Sequence, residues 1–126
     1  MRFALPLLAV LAMFAATPAF ACSCSPDTDG SLAAKVLADP SISVAQVYVR
    51  GMNVNNHQSM LDIKAVPHGG LMAQNIRAKF GADTCATIPQ YKKTMMVLIK
   101  AEEDATYSIA GSCETAAVMQ SMKKGQ

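Results

Sequence analysis

The sequence predicts a mainly β domain: a five-stranded Greek-key barrel of OB type with short flanking helices. Three observations lead there. Short β-branched or alternating segments recur between residues 41 and 113, separated by turn-forming residues. Helix-forming segments occur only at the two ends of that series. The first strand segment carries apolar residues on both faces, which a strongly coiled barrel strand accommodates.

Residues 1–21 read as a signal peptide. Arg2 supplies a positive n-region, FALPLLAVLAMFAA an apolar h-region too short to span a bilayer comfortably, and Ala19-Phe20-Ala21 a small-x-small cleavage site. Two alternatives are an uncleaved anchor and acylation of Cys22. The first is disfavoured by Pro18 and by the lack of a following charge cluster. The second is disfavoured because Ala19 and Phe20 stand where a lipobox carries Leu and a small residue. The expected product is secreted or periplasmic, cleaved between Ala21 and Cys22, with no stable membrane anchor. Residues 22–126 are then one domain of common size.

The elements follow in order. SPDTDG (25–30) is a turn by composition. SLAAKVLAD (31–39) is a short helix, with Ser31 as its cap and Pro40 as its end. SISVAQVYVRG (41–51) is a strand in which Ile42 and Val44 share one face and Val47 and Val49 the other. That parity switch predicts a bulge or sharp coiling at Ala45-Gln46. NVNNHQ (53–58) is a turn or open loop. MLDIKAV (60–66) alternates, with Leu61, Ile63 and Ala65 inward, and PHGG breaks it. NIRAKFG (75–81) puts Ile76, Ala78 and Phe80 inward and Arg77 and Lys79 outward. TMMVLIKA (94–101), apolar on both faces, is a central covered strand. EED (102–104) is a turn, TYSIAGSC (106–113) the fifth strand with Tyr107 and Ile109 on one side, and TAAVMQSMKK (115–124) a terminal helix capped by Thr115.

Composition argues against several function classes. The chain carries a net charge of +2, and Arg2 leaves with the leader, so the domain is nearly neutral and has no feature of a nucleic-acid or acidic-membrane binder. Single-strand binding by an OB barrel needs exposed aromatics on a basic groove, and only Tyr48, Phe80, Tyr91 and Tyr107 are available beyond the leader. No nucleophile elbow, zinc-protease helix motif or phosphate-binding glycine loop occurs, so no enzyme is expected. His57 and His68 lie in turn-like segments, and Glu102-Glu103-Asp104 reads as a solvated turn. DTDG lacks the later carboxylates of a calcium loop. Met95 and Met96 fall in the most apolar strand, which favours core packing over copper binding.

All four cysteines, Cys22, Cys24, Cys85 and Cys113, lie beyond the leader. An even number in a small exported domain implies two disulfides. A Cys22–Cys24 bridge would close a strained ring, so the N-terminal pair should reach Cys85 and Cys113, in an order that this argument leaves open.

CSCSP (22–26), placed directly after a leader, resembles the C-x-C-x-P mature start of the tissue inhibitors of metalloproteinases. VAQVYVRGM, MLDIKAVPHGG, NIRAKFGADTCATI and MVLIKAEEDATYSIAGSC resemble, in order, the strands and cysteine-bearing segments of that family's N-terminal inhibitory domain. The resemblance implies a netrin-like OB barrel and the pairing Cys22–Cys85 and Cys24–Cys113. It implies that Cys22, Ser23, Cys24, Ser25 and Pro26 form an inhibitory wedge flanked by Thr84, Cys85 and Ala86. The Cys22 α-amine and carbonyl would chelate the catalytic zinc of a target metalloprotease, so the partner is that protease and the chain needs no cofactor of its own. Ser23 would point toward the specificity pocket. A monomer is expected. No cysteine is left for the family's third bridge, and DTDG follows the wedge. The alternative is a non-inhibitory netrin-like module, binding or structural, in which C-x-C only staples one end of the barrel.

Overall fold

The computed structural model describes residues 22–124, so the leader and its cleavage site lie outside the described residues. Five strands close a barrel: β1 (Ile42–Asn53), β2 (Gln58–His68), β3 (Asn75–Lys79), β4 (Thr94–Ala101) and β5 (Tyr107–Ile109), in the spatial order β1-β2-β3-β5-β4. Pairs are antiparallel except β3 with β5, and β1 closes the circle against β4. This is the five-stranded OB-type barrel expected from the sequence. Helix α1 (Ser31–Ala38) precedes β1, and α2 (Ser112–Lys124) follows β5.

Two apolar layers hold the fold together. Inside the barrel, Ala45, Val47, Val49, Leu61, Ile76, Ala78, Phe80, Val97, Ile99 and Ile109 form one buried cluster. Outside it, Val44 and Leu98 pack with Ala33 and Val36 of α1 and Ala117 and Val118 of α2. Burying a Val or Leu side chain stabilises a fold by about 1.5–3 kcal/mol, so the outer cluster is what seats the helices on the barrel.

That second layer corrects the reading of β1. The strand runs in unbroken register against β4, from Ile42 opposite Lys100 to Tyr48 opposite Thr94. Ala45, Val47 and Val49 face the interior, while Ile42 and Val44 face the helices. Both faces are apolar because both are covered, and no bulge in β1 at Ala45-Gln46 is needed. The irregularity instead sits in β2. Val47 pairs with Ile63, Gln46 with Ala65 and Val44 with His68, so β2 carries an extra residue in each interval. The side-chain alternation of β2 slips accordingly: Val66 packs on the barrel core and Ala65, expected inward, is exposed. A further register shift, between Val49 and Gly51, bends the far end of β1.

The alternation expected for β3 is present, with Ile76, Ala78 and Phe80 buried and Arg77 and Lys79 exposed. In β4, Val97 and Ile99 point into the barrel and Leu98 toward the helices, as a strand covered on both faces requires. Met95 packs on the inner cluster and Met96, Met119 and Met122 on the outer one. The fifth strand is shorter than expected. It ends at Ile109, and α2 begins at Ser112, so Cys113 sits on a helix and Thr115 lies within it. The Thr115 hydroxyl donates back to the Gly111 carbonyl at 2.9 Å instead of capping the helix.

Candidate functional site

The segment Cys22–Pro26 has no regular secondary structure, and all of it except Cys22 is exposed. Two covalent bonds position it. Cys22 is joined to Cys85, in the connection between β3 and β4, and Cys24 to Cys113, in the first turn of α2. The pairing is the one the resemblance implies, and it leaves no free cysteine. The bridges close separations of 63 and 89 residues. In the chain-entropy model each, taken alone, stabilises the fold by about 4 kcal/mol.

The loop that receives Cys22 is itself tied down. The Asp83 carboxylate accepts the Cys85 N–H at 3.1 Å, and the Asp83 carbonyl accepts the Ala86 N–H at 3.2 Å. Ser112 donates its backbone N–H at 2.8 Å and its hydroxyl at 3.0 Å to the Cys85 carbonyl. The loop therefore rests on the start of α2. Gly111 permits this approach, because a Cβ there would lie 3.1 Å from the Cys85 oxygen and 2.9 Å from a Glu114 carboxylate oxygen. Thr84 is exposed, whereas Cys85 and Ala86 are half-buried. Of the eight residues of the expected wedge, the structure joins the segment 22–26 to Cys85 through the Cys22–Cys85 bond, and Cys85 in turn to the start of α2 through Ser112. Beside them lies an open cleft of about 360 Å³, lined by Gly81, Asp83, Ala86, Ile109 and Glu114 among others.

The two bridges touch. The Cys22 sulfur is 3.7 Å from that of Cys113 and 3.9 Å from that of Cys24. Among the described residues, Cys22, Cys24 and Cys113 are the one grouping with metal-ligand spacing. Each of these sulfurs is committed to a disulfide, so the oxidised site offers no thiolate to an ion.

Downstream of Pro26, the acidic turn serves α1. The two Asp27 carboxylate oxygens accept the Leu32 and Ala33 N–H groups at 2.9 and 3.0 Å. Asp29 accepts the Ser31 N–H at 3.0 Å, and that bond, followed by the Ser31 hydroxyl, lowers its pKa. Ser31, the expected cap, is instead the first helical residue: Gly30 occupies the cap position with φ 73° and makes no side-chain bond. Negative charge at a helix N-terminus is stabilised by the positive end of the helix dipole, so the DTDG carboxylates have a structural use.

The histidines lie elsewhere. Nε2 of His68 donates to the Leu37 carbonyl at 2.9 Å, tying the end of β2 to the last turn of α1. The His57 ring tilts against Phe80 in the β1–β2 turn, with centroids 5.5 Å apart. Neither is near the cysteine-bonded segment in the contacts they make. Sequence reasoning missed Asp83, Gly111 and Ser112. An acidic residue in the first turn, Glu114, was the available signal that the helix starts at Ser112. No family model matches the chain, and no curated protein or solved structure was found to match it.

Proposed function

We propose that the protein is a secreted or periplasmic inhibitor of zinc metalloproteases, similar in design to the tissue inhibitors of metalloproteinases. The observation that carries this reading is an exposed N-terminal segment, Ser23–Pro26, fixed by two disulfides to two different elements of the barrel end. After cleavage at Ala21/Cys22, the Cys22 amine would be neutral in part at neutral pH, since an α-amine has a pKa of about 8. The zinc belongs to the target, whose catalytic site keeps one position open for such a donor. Rigid fixing of the segment reduces the ordering cost of binding. Ser23 enters the specificity pocket, and Thr84, Cys85 and Ala86 extend the contact.

The test compares the exported protein beginning at Cys22 with a form carrying one added Ala before it, against a panel of zinc metalloproteases. The added residue removes the amine from the metal and is expected to abolish inhibition. Equal potency of the two forms, or a mature chain that begins elsewhere or is acylated at Cys22, overturns amine chelation. A partner captured equally by both forms would then favour a netrin-like binding module, with C-x-C as a staple.

A further inference from the structure

The two disulfides lie in contact, with the Cys22 sulfur 3.7 Å from that of Cys113. Of the four cysteines, Cys24 is exposed, while Cys22, Cys85 and Cys113 are half-buried. An external thiolate therefore meets the Cys24 sulfur first. The sulfur it would displace, Cys113, sits in the first turn of the 13-residue helix α2. Thiolates at helix N-termini are stabilised and leave readily. Once released, that thiolate stands 3.7 Å from the Cys22 sulfur, in contact with the second disulfide.

We infer that the barrel end is a thiol-triggered relay, in which attack on the Cys24–Cys113 bridge is passed on to Cys22–Cys85 and yields a Cys22–Cys113 bridge. The co-reactant is a small dithiol. Its first thiolate attacks Cys24, forming a mixed disulfide and expelling Cys113 as thiolate. Its second thiol resolves the mixed disulfide, leaving the dithiol oxidised and Cys24 as a thiol. The Cys113 thiolate attacks the Cys22 sulfur, the Cys22–Cys85 bond breaks, and Cys85 leaves as a thiolate that takes a proton from water. Two electrons pass from the dithiol to the protein, and one disulfide, Cys22–Cys113, remains. The product frees the Thr84–Ala86 loop from its covalent link to the N-terminal segment. The inference does not depend on zinc binding, because it is read in disulfide connectivity and not in inhibition.

The experiment treats the folded protein with limiting dithiothreitol, traps thiols with excess maleimide at acidic pH, and maps the one-disulfide species by peptide mass spectrometry. The expected species links Cys22 to Cys113 and carries label on Cys24 and Cys85. One-disulfide species that retain only native bridges overturn the relay. So does Cys24–Cys85 appearing as often as Cys22–Cys113, the pattern of scrambling through unfolded chains. A second arm uses Cys24→Ser without reductant, which leaves Cys113 as a thiol beside Cys22. It should contain Cys22–Cys113 alongside Cys22–Cys85, and finding Cys22–Cys85 alone overturns the relay. If Cys24→Ser does not fold, the wild-type arm decides the matter by itself.

Discussion

Ser112 holds the Cys85 carbonyl with two hydrogen bonds, one from its backbone N–H at 2.8 Å and one from its hydroxyl at 3.0 Å. One residue at the start of α2 thereby fixes the loop to which the Cys22–Pro26 segment is bonded. Ser112→Ala removes the hydroxyl bond and keeps the other. Urea denaturation should show a loss of about 1 kcal/mol, the usual worth of such a bond, with both disulfides still formed.

Although Gly30 holds the cap position of α1, the side-chain capping comes from Asp27, whose carboxylate accepts from Leu32 and Ala33 together. Asp27→Ala should cost about 1–2 kcal/mol by thermal or urea unfolding. Ser31→Ala, at the position the sequence alone nominates as the cap, should cost less than Asp27→Ala. The opposite order would show that the helix is capped otherwise.

Gly69 ends β2 against β1. Its φ is 104°, and a Cβ there would fall 2.6 Å from the Ser43 Cα and also onto the Ser43 hydroxyl oxygen. That hydroxyl also accepts the Leu71 N–H at 3.1 Å. The clash is with backbone, so it cannot be relieved by a rotamer change. Gly69→Ala should destabilise by about 2–4 kcal/mol, measured as a lower urea midpoint.

The pH dependence follows from Asp39. Its carboxylate accepts the Ser41 hydroxyl at 2.7 Å and the Ser41 N–H at 2.9 Å, and these bonds hold its pKa below the ordinary 3.8, with a smaller contribution from the charge of Lys100. Asp29 is lowered in the same sense by Ser31. A carboxyl with a depressed folded pKa contributes stability that is present above its unfolded pKa and is lost as pH falls through the folded one. The urea midpoint should therefore fall as pH drops below about 4. Ser41→Ala should move the Asp39 titration, followed by NMR, up toward the ordinary value. An unmoved titration would rule out Ser41 as the cause.

Patterns confined to one element were legible in the chain. The alternation of Ile76, Ala78 and Phe80 needs only the period of a strand, and the doubly apolar TMMVLIKA needs only that both its faces be covered. Elements whose form depends on a neighbour were not. The parity of β1 read as a bulge because the cover over Ile42 and Val44 comes from α1 and from α2, far along the chain. Ala65 and Val66 exchanged roles because β2 gains extra residues only in register with β1. The side-chain cap of α1 comes from Asp27, five and six residues before the N–H groups it satisfies, a spacing outside the usual capping patterns.

The sequence by itself determined the strand set, the end placement of the helices and the requirement that the C-x-C pair reach two distant cysteines. Each of these follows from local periodicity, turn chemistry or ring strain. The tertiary structure decided that Cys113 stands on a helix, that the Cys85 carbonyl docks on the start of that helix through Ser112, and that the two bridges lie in sulfur–sulfur contact. Those facts depend on how β3, β5 and the start of α2 converge at one end of a closed barrel. Closure is a property of all five strands at once, and no single segment encodes it.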